Sequence, residues 1–448
     1  MTAQIAILNK SGVALATDST VTIQSGGAAG NHRKTYNTAN KLFTLSKFQP
    51  VAVMTYGNAS FMGIPWETII KTYRTQLHDK SFQTLSEYTE DFLEFVRSND
   101  DLFPDQYQRR IFQAETQVAY EMIKSSVAKA TADLDSEGAD GNEEERKKRA
   151  SDVIKEDWEH TKSGKFVPNI SKNFLQTLKK SYSKEIDSAL ETVFSQTPLS
   201  AVDKRRLKNI AVDRFCYLGH GKEIPSSSGI VIAGFGSSEP FPSVKSFLFH
   251  GLAKGKLRHE EGIGCACTHE NPNSAAVLPF AQTDVVSSFV KAVDPQFHKL
   301  IVGYLYKIFE NHAPSVLKEV KTVCNQLGSE LSAEIEKEIL ERLTTESLEG
   351  LESTIGKLEN HVRSKHIDPL LDVIAILPKD ELAALAESLV SLTSVKRKMS
   401  LDLETVGGPV DVAVISKGDG FVWINRKHYF GSDLNPHFLQ NYFRGQES

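Results

Sequence analysis

Residues 2–18 read Thr2-Ala3-Gln4-Ile5-Ala6-Ile7-Leu8-Asn9-Lys10-Ser11-Gly12-Val13-Ala14-Leu15-Ala16-Thr17-Asp18. Ala3, Ile5 and Ile7 alternate with Gln4, Ala6 and Leu8, the polar run 9–12 breaks the pattern, and residues 13–16 resume it. That spacing predicts a strand, a turn and a second strand. A second apolar pair follows at 41–45 and 51–54, separated by a short polar link containing Pro50. Between the pairs lies the Gly-rich stretch 25–31, which has neither phosphate-loop spacing nor a helix after it and reads as a surface loop. From Asn58 the apolar positions Phe61, Ile64, Ile69 and Tyr73 recur at threes and fours, predicting a helix that starts after Gly57-Asn58.

Farther along, residues 78–225 are rich in Glu, Lys, Gln and Ala with helical periods, broken at 135–142, and read as a helical insertion. Strand character returns at 229–235 and 244–250, within a core segment taken as 226–281. A second helical region is expected over 282–400. The segment 401–448 then supplies a closing hairpin at 410–415 and 421–424 around Lys417-Gly418-Asp419-Gly420. Strands thus come in antiparallel pairs rather than in βαβ alternation. This argues for an α+β fold, with helices layered on antiparallel sheets and residues 2–77 as the first part of the core.

With 448 residues, a net charge of -5 and an isoelectric point near 6.3, the chain has a large core available and no basic excess for nucleic acid. The run Arg146-Lys147-Lys148-Arg149 lies beside Glu143, Glu144 and Glu145 and reads as a solvated helix face. Four cysteines, Cys216, Cys265, Cys267 and Cys324, are too few for a disulfide framework. Cys265 and Cys267 have only His259 and His269 nearby, so no metal and no cofactor is expected. No secretion signal and no membrane-spanning run is read, so the expectation is a cytoplasmic protein without a membrane partner.

Four stretches together resemble the start of a proteasome β-subunit: Thr2-Ala-Gln-Ile-Ala-Ile, Gly12-Val-Ala-Leu-Ala-Thr-Asp18-Ser-Thr-Val-Thr22, Asn40-Lys41-Leu42-Phe43 and Tyr56-Gly57-Asn58-Ala59. The end, Gly407-Gly408-Pro-Val-Asp411-Val-Ala-Val-Ile415 followed by Lys417-Gly-Asp-Gly-Phe421-Val, is similar to that family's last hairpin. The likeness covers the first 75 residues or so, 228–290 more loosely, and 405–425; the helical regions have no counterpart of that length. It implies a bacterial proteasome-like N-terminal-nucleophile hydrolase. The implied fold is a four-layer αββα sandwich of antiparallel sheets with two enlarged helical regions. The resemblance also implies that Thr2, exposed once Met1 is removed, is the catalytic residue, with Asp18 and Lys41 as its partners.

The residue chemistry is coherent by itself. A threonine hydroxyl needs a base, and an N-terminal residue carries one on its own Cα, with an ordinary pKa of about 7.7–8.0. A cation such as Lys41 beside the hydroxyl favours the alkoxide, and Asp18 would fix that lysine. Backbone donors for the developing oxyanion are expected near residues 54–57. The sequence departs from the family in three places. Where the family has an Asp and a Ser before the final Gly-Gly, Leu403 and Val406 stand, with Glu404 and Thr405 adjacent. Met54 replaces a glycine of the oxyanion segment, and Thr283 is the one candidate for a further hydroxyl near the amine. The expected activity is amide hydrolysis on a peptide or protein substrate by a homo-oligomeric ring, with an unfoldase or adaptor partner left open. Two alternatives stay open: a non-catalytic ring-forming scaffold, and an amidohydrolase acting on a small amide.

Overall fold

The computed structural model describes residues 2–27, 30–136, 143–167, 169–197, 199–219, 227–270, 274–400, 406–428, 430–431, 434–437 and 440. In it the opening stretch forms β1 (Gln4–Asn9) and β2 (Gly12–Thr17), and every residue of both strands is buried. That explains why neither strand has a polar face: a strand covered on both sides reads as a nearly continuous apolar run. A ribbon of β3 (Val21–Gly27) and β4 (Gly30–Tyr36) follows, then β5 (Leu42–Thr44), β6 (Val51–Gly57) and helix α1 (Trp66–Leu77).

Helices α2 (Leu85–Ser98), α3 (Asp105–Ser136), α4 (Glu143–Ser163), α5 (Lys172–Ser181), α6 (Ser183–Phe194) and α7 (Ala201–Cys216) come next. Strands β7 (Ser228–Gly234), β8 (Ser243–Ala253), β9 (Lys256–Glu261) and β10 (Ala276–Ala281) lead into α8 (Thr283–Lys291). The two long helices α9 (Pro295–Gln326) and α10 (Ala333–Val362) pair with each other. A π-helical turn, Arg363–Ile367, passes into α11 (Asp368–Ile376), and α12 (Lys379–Lys398), β11 (Asp411–Ser416) and β12 (Gly420–Asn425) complete the order.

The fold is α+β, and its two main sheets are antiparallel. The first has the order β10-β1-β2-β11-β12, so the chain's beginning and its closing hairpin are neighbours in one sheet. The second runs β9-β8-β7-β6-β5. The alternation within β1 divides its side chains between two cores. Ile5 and Ile7 join Ala383, Leu389 and Val390 of α12, while Ala6 and Leu8 join Met54, Val231 and Ala413 between the sheets. The far side of the second sheet, through Val53, Ile232 and Phe249, packs on Trp66, Tyr73 and Phe92 of α1 and α2. Helices α3–α7 bury a core of their own around Tyr120, Tyr182 and Phe215.

Two expectations need correction. The helix read from Asn58 begins at Trp66; Ser60–Phe61 and Ile64–Pro65 form a small antiparallel ladder instead, and Pro65, which fixes its own backbone, immediately precedes the first helical turn. The Gly-rich stretch read as a surface loop contributes to paired strands: Ser25 is opposite His32 and Gly27 opposite Gly30. Among the described residues that ribbon pairs only with itself, so no buried face imposed an apolar period on it. Residues 28–29, and 137–142 of the expected break in the first helical block, lie outside the described residues.

Among the described residues no helix is long and apolar enough to cross a membrane, and no group of three or more His, Cys, Asp or Glu side chains is placed to hold a metal. The four cysteines are free thiols.

Candidate active site

The register of the first hairpin builds one wall of the site. With Gln4 opposite Thr17, the residues just beyond the strand ends meet: Asp18 N donates to Ala3 O at 3.1 Å, and Ala3 N donates to Asp18 Oδ1 at 3.1 Å. Asp18 Oδ2 accepts from Thr20 N at 3.2 Å, an Asx-type turn onto its own chain, and from Gly407 N at 3.1 Å. Thus the carboxylate ties together the start of β1, the end of β2 and the segment that leads into β11.

The second sheet supplies the cation. Lys41 stands just before β5, where Thr55 N of β6 donates to its carbonyl at 2.8 Å. Its Nζ donates to Asp18 Oδ1 at 2.8 Å, to Thr2 Oγ1 at 2.9 Å and to Thr20 O at 2.6 Å, so all three ammonium protons are used. Gln4 Nε2 joins the two sheets beside this cluster by donating to Thr17 Oγ1 at 3.0 Å and to Thr55 O at 2.6 Å. Thr2, Asp18 and Lys41 are all buried. Burial lowers the Lys41 pKa from its ordinary value; the nearby Asp18 carboxylate opposes that effect by raising it.

Thr2 and Lys41 open onto a cavity of about 210 Å³ whose walls include Tyr56, Gly57, Trp66 and Glu67. Gly57 has a φ of +75°, and a Cβ there would lie 2.8 Å from Ser227 O, so only glycine fits without strain. In β6, Thr55 N donates to Lys41 O on the β5 side and Asn58 N donates to Ser227 O on the β7 side. By the alternation of an antiparallel ladder, the Gly57 N–H faces the β5 side, just past the end of that strand, on the side of the cavity. Met54 instead is packed between the sheets.

The three residues singled out in the sequence therefore meet in one cluster. Thr283 does not: it is exposed at the start of α8. Val406 is buried in the core against α12, and Leu403, Glu404, Thr405 and Met1 lie outside the described residues.

A second, part-buried ion pair beside the cluster was not foreseen. Asp411, at the start of β11 and opposite Thr17, accepts from Lys427 N at 2.9 Å and pairs with the Lys427 ammonium. Both charges reach Lys41 electrostatically, Lys427 lowering its pKa and Asp411 raising it. The sequence held a signal: Asp411 is the lone acid in the apolar run Val410-Asp411-Val412-Ala413-Val414-Ile415, and a charge within a buried strand calls for a partner. No protein-family model and no curated protein matches the sequence.

Proposed function

We propose that the chain is a threonine-type N-terminal-nucleophile amidohydrolase of the proteasome-like kind. In this reading it is built on a four-layer αββα sandwich, assembles as a homo-oligomeric ring and cleaves peptide bonds. One observation carries the reading: a buried ammonium, held by a carboxylate that accepts three backbone hydrogen bonds besides, donates at 2.9 Å to the hydroxyl of Thr2. The hydroxyl is one of the three acceptors of this buried ammonium, and the same contact holds a cation beside the oxygen, where it favours the alkoxide of a nucleophile.

In the chain as encoded, the Thr2 nitrogen is an amide because Met1 precedes it. Removing Met1 converts it to an amine that accepts the Oγ1 proton as the oxygen attacks the substrate carbonyl carbon. The tetrahedral oxyanion lies against the Gly57 N–H. The carbon–nitrogen bond then breaks as the ammonium returns its proton to the leaving nitrogen, and an ester remains on Thr2. Water, deprotonated by the same amine, attacks that ester; the carbon–oxygen bond to Thr2 breaks, and Oγ1 recovers its proton. Lys41 stays charged throughout and favours the alkoxide.

At about 210 Å³ the cavity beside Thr2 has room for one side chain of a longer peptide substrate. The test is the mass of the purified protein before and after treatment with an electrophile that bridges a hydroxyl and the adjacent amine. A terminus beginning at Thr2 and a single adduct on the N-terminal peptide are expected. A terminus that keeps Met1, or a Thr2 terminus that takes no adduct, overturns the reading.

The second ion pair gives a pH prediction. The Lys41 ammonium is lost as pH rises through its lowered pKa, and activity falls with it. Lys427→Met removes a neighbouring positive charge and leaves Asp411 uncompensated; both changes raise the Lys41 pKa, so the alkaline limb of kcat/KM should move to higher pH. Asp411→Asn leaves Lys427 uncompensated and should move the limb down. Coincident profiles for the two variants would refute the coupling.

A further inference from the structure

Lining the same cavity as Thr2 are two charged side chains, Lys41 and Glu67. Lys41 is already matched by Asp18 at 2.8 Å. The carboxylate of Glu67, in the first turn of α1, has a different partner: Lys71, one turn on, at 2.5 Å, with both side chains substantially exposed. An exposed pair of this spacing contributes little to stability and is readily exchanged for another cation. Half-buried Tyr56 lines the same cavity and offers aromatic surface, the kind on which a guanidinium or ammonium stem rests, whereas the Trp66 ring is buried against Phe61 and Phe249.

We infer that the cavity beside Thr2 takes a basic side chain of the substrate, arginine or lysine, at the residue whose carbonyl is attacked, with Glu67 as the carboxylate that receives its charge. This deepens the hydrolase reading and rests on it. The small volume admits one long side chain, and the unbranched stems of arginine and lysine pass Tyr56 while the charged end exchanges Lys71 for itself on Glu67. An acidic side chain in the same place meets the Glu67 carboxylate and is rejected by like charge. Arginine is favoured over lysine because its planar fork can make two parallel hydrogen bonds to a carboxylate.

The experiment is a panel of otherwise identical peptide amides carrying a fluorogenic leaving group, with Arg, Lys, Leu or Glu at the residue bearing the reporter. The full chain with a Thr2 terminus is compared with Glu67→Gln and Glu67→Arg. For the unsubstituted protein, kcat/KM for Arg should exceed that for Leu by about tenfold or more, and Glu should be the poorest. In Glu67→Gln the Arg-to-Leu ratio should collapse toward one, and in Glu67→Arg the order of Arg and Glu should reverse. Both variants should still take the N-terminal adduct, which establishes that the site is folded and reactive. Adduct formation with a flat or Leu-preferring panel overturns the basic specificity while leaving the nucleophile standing. The absence of both adduct and hydrolysis in the unsubstituted protein overturns the hydrolase reading, and the specificity with it.

Discussion

Thr2→Ala should abolish peptide hydrolysis, lowering kcat by roughly a thousandfold or more, while the folded structure persists. The side chain is buried, yet what it loses is small: a methyl and a hydroxyl whose described partner is Lys41. After the substitution Lys41 still donates to Asp18 and to the Thr20 carbonyl, and the adjoining cavity can supply water for its third proton. Thr2→Ser retains both hydroxyl and amine and should keep activity within about tenfold. Rates on the peptide panel and thermal melts of the same preparations separate the two effects. Hydrolysis by Thr2→Ala at the unsubstituted rate would place the nucleophile elsewhere.

The parts of this fold legible in the sequence are those where a strand is pressed between two layers. The alternation of Ile5 and Ile7 with Ala6 and Leu8 assigns these side chains to two different cores, and the structure places each set in one of them. Where one side of a strand lacks a packed neighbour, the signal fades. Strand β9, Lys256-Leu257-Arg258-His259-Glu260-Glu261, is a polar edge, and β10 at the opposite sheet's edge contains Pro279; neither has the residue pattern of a central strand. The ribbon of β3 and β4 escaped reading for the same reason.

Site legibility follows a different rule. Thr2, Asp18 and Lys41 sit beside strand ends, the first two at neighbouring strands of one sheet and Lys41 at the other sheet, so the packing of the two sheets brings them together. What no spacing could supply is the link to residue 407, since the bond from Gly407 N to Asp18 depends on β11 entering the sheet beside β2 across 389 residues of chain. The same long-range pairing brings Asp411 opposite Thr17, and with it Lys427. The electrostatic environment of Lys41 therefore depends on a pairing partner some 370 residues or more away in sequence.

Lys41 and Asp18 should separate under mutation, although both belong to one ion pair. Lys41→Met removes the cation but leaves Asp18 with three backbone donors, from Ala3, Thr20 and Gly407, so the carboxylate remains hydrogen-bonded. The expected result is a folded protein whose activity approaches that of Thr2→Ala, because residues that act as a unit do not contribute additively. Asp18→Asn is the harsher change for the fold. Two of the four hydrogen bonds end on each carboxylate oxygen, and an asparagine offers one acceptor oxygen and an NH2 group in their place. Whichever way the amide turns, its NH2 faces donors, and the buried Lys41 ammonium loses its counter-charge. Removing one partner of a buried pair costs about 3–5 kcal/mol, and the misdirected donors add to that. Urea denaturation should therefore rank Asp18→Asn well below Lys41→Met in stability, with both inactive. The reverse ranking would mean that the lysine, rather than the carboxylate, ties the strand ends together, and an active Lys41→Met would remove the cation from the mechanism.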